Sequence, residues 1–424
     1  MSLSRIGKLV AEKARVSSFE ETFARRLHDV DLFLPSRATP KVSALAHAVS
    51  ALVVRCFSGR IALHAEDPSA LDPSPFAGGL RDRLSRLSKE YDGEDRLVDG
   101  RPRGAASVRL AIACSVSGAV RVDASGARAG VNTALPGDDA LGFACAFAAS
   151  CGVAKAFASA VLGDDSFADE AWQLSLADFS SGTAVDPPAA PPLELGVIGL
   201  LGAGAVGSAF LYALWLSGVT ADIHVLDRDR YEEQNCETTM FLGRREAARR
   251  GAKAAVLARL AATSRLRVRG GLVEVRSGDR ALAEPRDVFV CAADNAEVRR
   301  ELDAVNARVL LNGATGGTKE SAGHVLCTSH GHGEPPLSTL YPPRAAGDSA
   351  GDAEDVPQLA DITDECSRFA YREASLAAPF ISLATGSLLA ARCAAHAAGR
   401  TLPGYLKIDM LGRQSAAQSI EWRR

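Results

Sequence analysis

The run GAGAVG places Gly202, Gly204 and Gly207 between an apolar stretch of strand character and a stretch with helical spacing. Glycines at these intervals allow a tight turn and a close approach of backbone to phosphate, and the start of the following helix offers free N–H groups to an anion. Asp227 ends the next apolar run, ADIHVLD, twenty residues past Gly207. A carboxylate there can accept hydrogen bonds from both ribose hydroxyls. NAD and ATP share that ribose, so these residues fit a hydride-transfer enzyme and an adenylating enzyme equally.

Further residues separate the two. Asp229, Asn235 and Thr238 follow in DRDRYEEQNCETT, Lys253 lies in RRGAKAAVLARLAA, and Asp294 and Asn295 close a later strand in VCAADNAEVRRELD. Hydride transfer has no use for a lysine on the second helix or an Asp-Asn pair at that strand end. Adenylation does, because a lysine and a metal must neutralise the triphosphate as pyrophosphate leaves, and Mg²⁺ prefers a carboxylate together with phosphate oxygens.

The ordered set of Gly202 to Gly207, Asp227 with Asp229, Asn235, Lys253, Asp294 with Asn295, and Arg299 resembles the ThiF/MoeB/HesA family, which includes the adenylation domains of ubiquitin-activating enzymes. The resemblance covers roughly residues 193–424. It implies that the turn around Gly204 and Ala205 sits on the phosphates of ATP, that Asp227 binds the ribose, that Asn235 and Lys253 contact phosphates, and that Asp294 holds Mg²⁺. It implies attack of a substrate carboxylate on the α-phosphate, giving an acyl-adenylate open to a thiol, amine or sulfur donor. The substrate it implies is the C-terminal tail of a ubiquitin-like protein or peptide, with a conjugating enzyme as a candidate partner. Relatives work as homodimers or pseudo-dimers, often with an arginine borrowed from the neighbouring half. Arg37, in LPSRATP, is a candidate donor.

Thr238 stands where the family has an arginine three residues after the asparagine, and Arg244 or Arg245 is the candidate replacement. This loss keeps open a non-catalytic nucleotide-binding scaffold, beside an NAD-dependent oxidoreductase as a further alternative. Cys366 lies where some activating enzymes carry a thioester-forming cysteine, and the catalytic and structural readings of it stand even. Cys236 reads as a packing residue, and Arg299 as a helix brace acting through an ion pair. Cys327, His330 and His332 in CTSHGHG lack a fourth ligand and read as a polar turn.

These residues need a scaffold of alternating strands and helices. LGVIGLLG, ADIHVLD, DVFVCAAD, RVLLNGAT, GHVLCTS and YLKIDML read as strands, several apolar on both faces. Helices are expected over 206–217, 246–262, 297–306 and 378–399. The alternation predicts an α/β fold, a Rossmann-like doubly wound and mostly parallel sheet. SSGTAVDPPAAPPLELG marks a Pro-rich linker over 180–192, dividing an N-terminal domain, 1–179, from the adenylation-like domain, 193–424. The N-terminal part offers a helical start, a strand in SVRLAIACS and a long helix over 139–163. That helix resembles the one at 378–399, so a degenerate duplication, an inactive adenylation half fused in cis, is a candidate reading. The acidic, aperiodic stretch 342–366 is expected to be a mobile loop.

Composition narrows the class. With 47% hydrophobic residues, 48 basic against 51 acidic side chains and a net charge of −3, the chain reads as globular, with no nucleic-acid partner expected from bulk charge. Nine scattered cysteines without a Cys-x-x-Cys pair indicate reduced thiols. The start lacks a secretory or transit pattern, and the longest apolar run, ALGFACAFAASCGVA, is too short for a membrane span, so a cytoplasmic protein is expected.

Overall fold

The computed structural model describes residues 9–10, 21, 24–37, 39–65, 80–92, 94–98, 107–165, 169–181, 193–273, 280–316, 323–331, 334–340, 378–411 and 418–420. Two sheets organise them. The first contains β1 (Val30–Phe33), β2 (Ile61–His64), β3 (Leu97–Val98), β4 (Val108–Ile112), β5 (Val120–Ser125), β6 (Arg128–Val131) and β7 (Trp172–Ser175). Its strand order is β3-β2-β1-β4-β5-β6-β7, parallel as far as β5 and antiparallel beyond. Helices α1 (Pro40–Cys56), α2 (Leu80–Asp92) and α3 (Gly142–Phe157) belong to this half.

The second sheet contains β8 (Glu194–Leu201), β9 (Thr220–Asp227), β10 (Leu266–Leu272), β11 (Arg286–Cys291), β12 (Ala307–Thr315), β13 (His324–Gly331), β14 (Tyr405–Asp409) and β15 (Gln418–Ile420). Its order is β10-β9-β8-β11-β12-β13-β14-β15, again parallel through the first five strands and antiparallel afterwards. The connectivity of the first sheet is thus repeated, with one strand added at the edge. Helices α4 (Ala205–Ser217), α5 (Arg244–Ala248), α6 (Lys253–Ala261), α7 (Arg280–Ala283), α8 (Ala296–Glu301) and α9 (Pro379–Ala397) complete a Rossmann-like α/β arrangement.

Local chemistry sets the element limits. Helix α9 opens on Pro379, whose missing N–H costs nothing in a first turn, and α4 stops at Gly218 in the left-handed region. The helix expected over 246–262 is broken. Arg250 takes a φ of +49° before Gly251, so α5 and α6 are separate and Lys253 becomes the first residue of α6. The expected helix over 297–306 also shortens, with α8 passing into a 3₁₀ turn at Leu302–Ala304.

Helices α1, α3, α4 and α9 pack between the two sheets and share one continuous hydrophobic core, so the halves are fused rather than tethered. Their small residues permit this. A Cβ on Gly386 of α9 would collide with the backbone of Ala209 and Phe210 on α4. Continuing through a π-helical turn, Gly142–Leu162 has the length and hydropathy of a membrane span, as does Pro379–Ala397, but most of each is buried within the protein. The stretches 182–192 and 341–377, which hold all but the first two residues of the expected linker and the whole of the expected loop, lie outside the described residues.

Candidate functional site

At the carboxyl ends of β8, β9, β11 and β12 lies a cleft of about 190 Å³. This is the crevice that α/β sheets offer to ligands where the strand order reverses around β8. It is lined by Gly202, Gly204, Ala205, Asp227, Asp229, Asn235, Thr238, Lys253, Asp294 and Asn295. Residues spread over more than ninety positions of sequence are therefore brought to one wall-to-wall space. A broader hollow of about 730 Å³ in the first half, lined by Arg109 and Arg121 among others, contains none of them.

The glycine turn is built for approach. Gly202 has a φ of +98°, which a side chain would strain, and Gly204 caps α4 with no side-chain hydrogen bond, leaving the helix start uncovered. A Cβ on Gly204 would meet nothing within 4 Å. Gly207 differs from expectation: it is buried below the turn and does not line the cleft. Its Cβ would run into the carbonyl oxygen of Gly202, so this glycine serves the packing of turn on helix.

Asp227 ties the turn to the second strand. Its Oδ2 accepts from the Ala203 amide at 2.6 Å and its Oδ1 from the Asp229 amide at 2.8 Å. Burial raises the Asp227 carboxyl above the usual range, against the lowering by these two amides and Lys253. From below, the buried Tyr231 hydroxyl donates to the Ala203 carbonyl at 2.7 Å. Across the mouth, Lys253 Nζ donates to Asp229 Oδ2 at 3.2 Å, and Arg228 approaches the same carboxylate at 3.8 Å. Lys253 is 15% exposed, held at the head of α6 with its amide on the Asp229 carbonyl.

Asn235 sits in a 3₁₀ turn, Glu233–Glu237, and its Oδ1 accepts from the Glu232 amide at 2.8 Å in a reciprocal cap. On the opposite wall Asn295 caps α8, accepting from the Glu297 amide at 2.7 Å, and exposed Asp294 precedes it. Arg299 braces this corner, as its place on the helix led us to expect, with its guanidinium on the carbonyl of Ala293 at 3.0 and 2.6 Å.

Other expected residues fall elsewhere. Arg244 and Arg245 are exposed in a separate groove beside Glu90, so neither stands in the cleft for the arginine missing at Thr238. Thr238 itself is 2% exposed. Arg37 pairs with Asp138 at 3.3 Å and does not line the cleft. Cys236 is buried, which pushes its thiol up to about 11. His330 bonds the Pro335 carbonyl and the Thr328 hydroxyl, and burial pushes the Cys327 thiol up to about 12. Cys366 and His332 lie outside the described residues.

The structure also adds residues. Arg228 contributes a second cation to the cleft. Thr315, from the end of β12, and Ser382, from the first turn of α9, bring hydroxyls to its far wall. Ser382 Oγ is buried and has no hydrogen-bond partner among the described residues. Leu201, Leu226, Val273 and Val298 supply an apolar side. Arg228 lies between Asp227 and Asp229 and Thr315 ends the strand-like run RVLLNGAT, so both had a signal, whereas Ser382, inside an apolar helical stretch, had none.

Residues 192–400, just under half of the chain, match the family model of the BilD C-terminal domain. That segment contains every residue of the cleft named above. Among solved structures, E. coli MccB is similar at 14% identity and a TM-score of 0.38, covering 53% of this chain and 62% of that one. E. coli MccB with ATP is similar at 15% identity and 0.36, covering 54% and 63%. E. coli tRNA N6-threonylcarbamoyladenosine dehydratase, TcdA, is similar at 16% identity and 0.33, covering 48% and 86%. This chain spans less than two thirds of the MccB chains it matches. No curated protein matches the sequence.

Proposed function

We propose that the ThiF/MoeB-like domain over 193–424 is an ATP-dependent adenylating enzyme that activates the C-terminal carboxylate of a ubiquitin-like protein or peptide. The observation that carries this reading is the convergence of the uncapped glycine turn, Asp227, Lys253 and Asp294 on one cleft. The α4 N-terminus and Lys253 would bind phosphate oxygens, and Asp227 the ribose. Asp294, exposed across from the turn, suits Mg²⁺ held chiefly by phosphate oxygens, which would supply charge neutralisation as pyrophosphate leaves. A substrate carboxylate oxygen then bonds to the α-phosphorus, the α–β bridging P–O bond breaks, and acyl-adenylate and pyrophosphate result. The apolar side formed by Leu226, Val273 and Val298 suits a base ring.

ATP–pyrophosphate exchange with candidate tailed proteins tests this. Exchange that falls about a hundredfold or more in Lys253→Ala and in Asp294→Ala supports the enzyme. Buried Thr238 in place of an arginine favours a second reading, a scaffold that binds nucleotide without turnover. Binding without exchange for any partner would favour it, and NAD(H) bound more tightly than ATP would discard both.

A further inference from the structure

The N-terminal half reaches the wall of the cleft through two arginines: Arg26 pairs with Glu237 at 3.7 Å, and Arg55 makes the larger set of contacts. Arg55, in the last turn of α1, is 3% exposed, and its guanidinium crosses to the second half. Nε donates to the carbonyl of Cys236 at 3.2 Å, and Nη2 to the carbonyls of Thr239, Met240 and Leu242, each at 3.2 Å. Nη1 is anchored on the Ala51 carbonyl of its own helix at 2.7 Å, and the group lies over the Tyr91 ring at 5.6 Å. The segment it gathers directly follows Asn235 and contains Thr238, both of which line the cleft. Thr239, Met240 and Leu242 are buried, so without Arg55 their carbonyls would lose this donor where water does not reach them.

We infer that Arg55 is a positioning residue for nucleotide binding: the N-terminal half, through this fork, holds the Asn235–Thr238 wall of the cleft in its binding shape. The nucleotide part rests on the adenylation reading, whereas the positioning part stands on the contacts alone. A planar fork of fixed donors suits this task better than a lysine, which brings one compact ammonium. The role differs from that of an arginine touching phosphate, because Arg55 acts through backbone carbonyls and does not line the cleft.

The test uses the full chain as wild type, Arg55→Lys, Arg55→Met and a control, Phe147→Leu, a buried ring that packs on Trp172 in the same half. Amide hydrogen exchange is read over 235–242 without nucleotide, and a fluorescent ATP analogue is titrated at a temperature where every variant is folded. Arg55→Met is expected to speed exchange over 235–242 and to weaken analogue binding about tenfold, with Arg55→Lys intermediate. Phe147→Leu should lower the melting temperature yet leave both readouts within about twofold of wild type. Unchanged exchange over 235–242 in both Arg55 variants, or equal loosening in Phe147→Leu, overturns the inference. If wild type binds no analogue, the adenylation reading falls, and the exchange rates still decide whether Arg55 positions the segment. If Arg55→Met is too unstable to measure, Arg55→Lys against Phe147→Leu decides both points.

Discussion

The two halves run the same strand order and end their first strand in opposite ways. After β8 the chain turns through Gly202 and Gly204 and enters α4 with no side chain over the helix start. After β1 the chain enters α1, and Thr39 Oγ1 caps that helix by accepting from the Val42 amide at 3.2 Å. Lys41, two residues further, is buried against Asp123 at 3.1 Å and donates to the Gly137 carbonyl at 2.6 Å. The first half thus satisfies its helix start and fills the neighbouring space with its own ion pair. The second leaves its helix start uncapped, and its own pair, Lys253 with Asp229, lies across the mouth of a cleft rather than filling it. The strand ends diverge likewise: β2 finishes on His64, which pairs with Asp31 at 2.7 Å, whereas β9 finishes on Asp227. Residues 113–119 join β4 to β5 directly, where the second half inserts Asp294, Asn295 and α8. Topology alone therefore does not make an anion site; unsatisfied backbone donors with room in front of them do.

The strongest way to break this contrast is to impose the first half's cap on the second. In Gly204→Thr the new side chain has open space and a capping role, so the melting temperature should hold or rise while ATP affinity, read by titration, drops about tenfold to a hundredfold. Retained affinity would show that the uncapped start is irrelevant. The reciprocal loss, Thr39→Ala, should cost about 1 kcal/mol in a denaturant titration and leave nucleotide affinity unchanged, because that cap serves folding only.

The smallest effect concerns pH. Burial raises the Asp227 carboxyl, so the folded protein favours its protonated form. Its contribution to stability is fully present below the ordinary carboxylate range and is lost as pH rises through the raised value. Asp227→Asn should remove that dependence, so the difference in melting temperature between variant and wild type changes across mildly acidic pH. A constant difference would show that the carboxyl is not perturbed. Ribose binding by wild type should weaken as pH falls through the same window, because the charged acceptor is lost.

Much of the second half was readable beforehand. Its strands are long and apolar on both faces, and the glycine turn, Asp227, Lys253 and Asp294 come in a fixed order with recognisable neighbours. Less of the first half was. Its long helix over 139–163 was legible, but its strands VDLF, IALH, RAGV and WQLS are four residues each, too short to display a period, and among its strands only SVRLAIACS stood out. The break between α5 and α6 was equally hidden, since Arg250 takes a left-handed backbone that its residue type does not announce.

By itself the sequence determined the local chemistry: which turn could approach a phosphate, which carboxylates ended strands, and which lysine followed them, because these depend on residue type at short range. Only the tertiary structure decided that Thr315 and Ser382 share that cleft, that Gly207 packs beneath it, and that Arg55 of the other half holds its wall. Those are contacts between elements far apart along the chain. They are set by how two sheets and four helices fill one core, and no spacing within a single element encodes them.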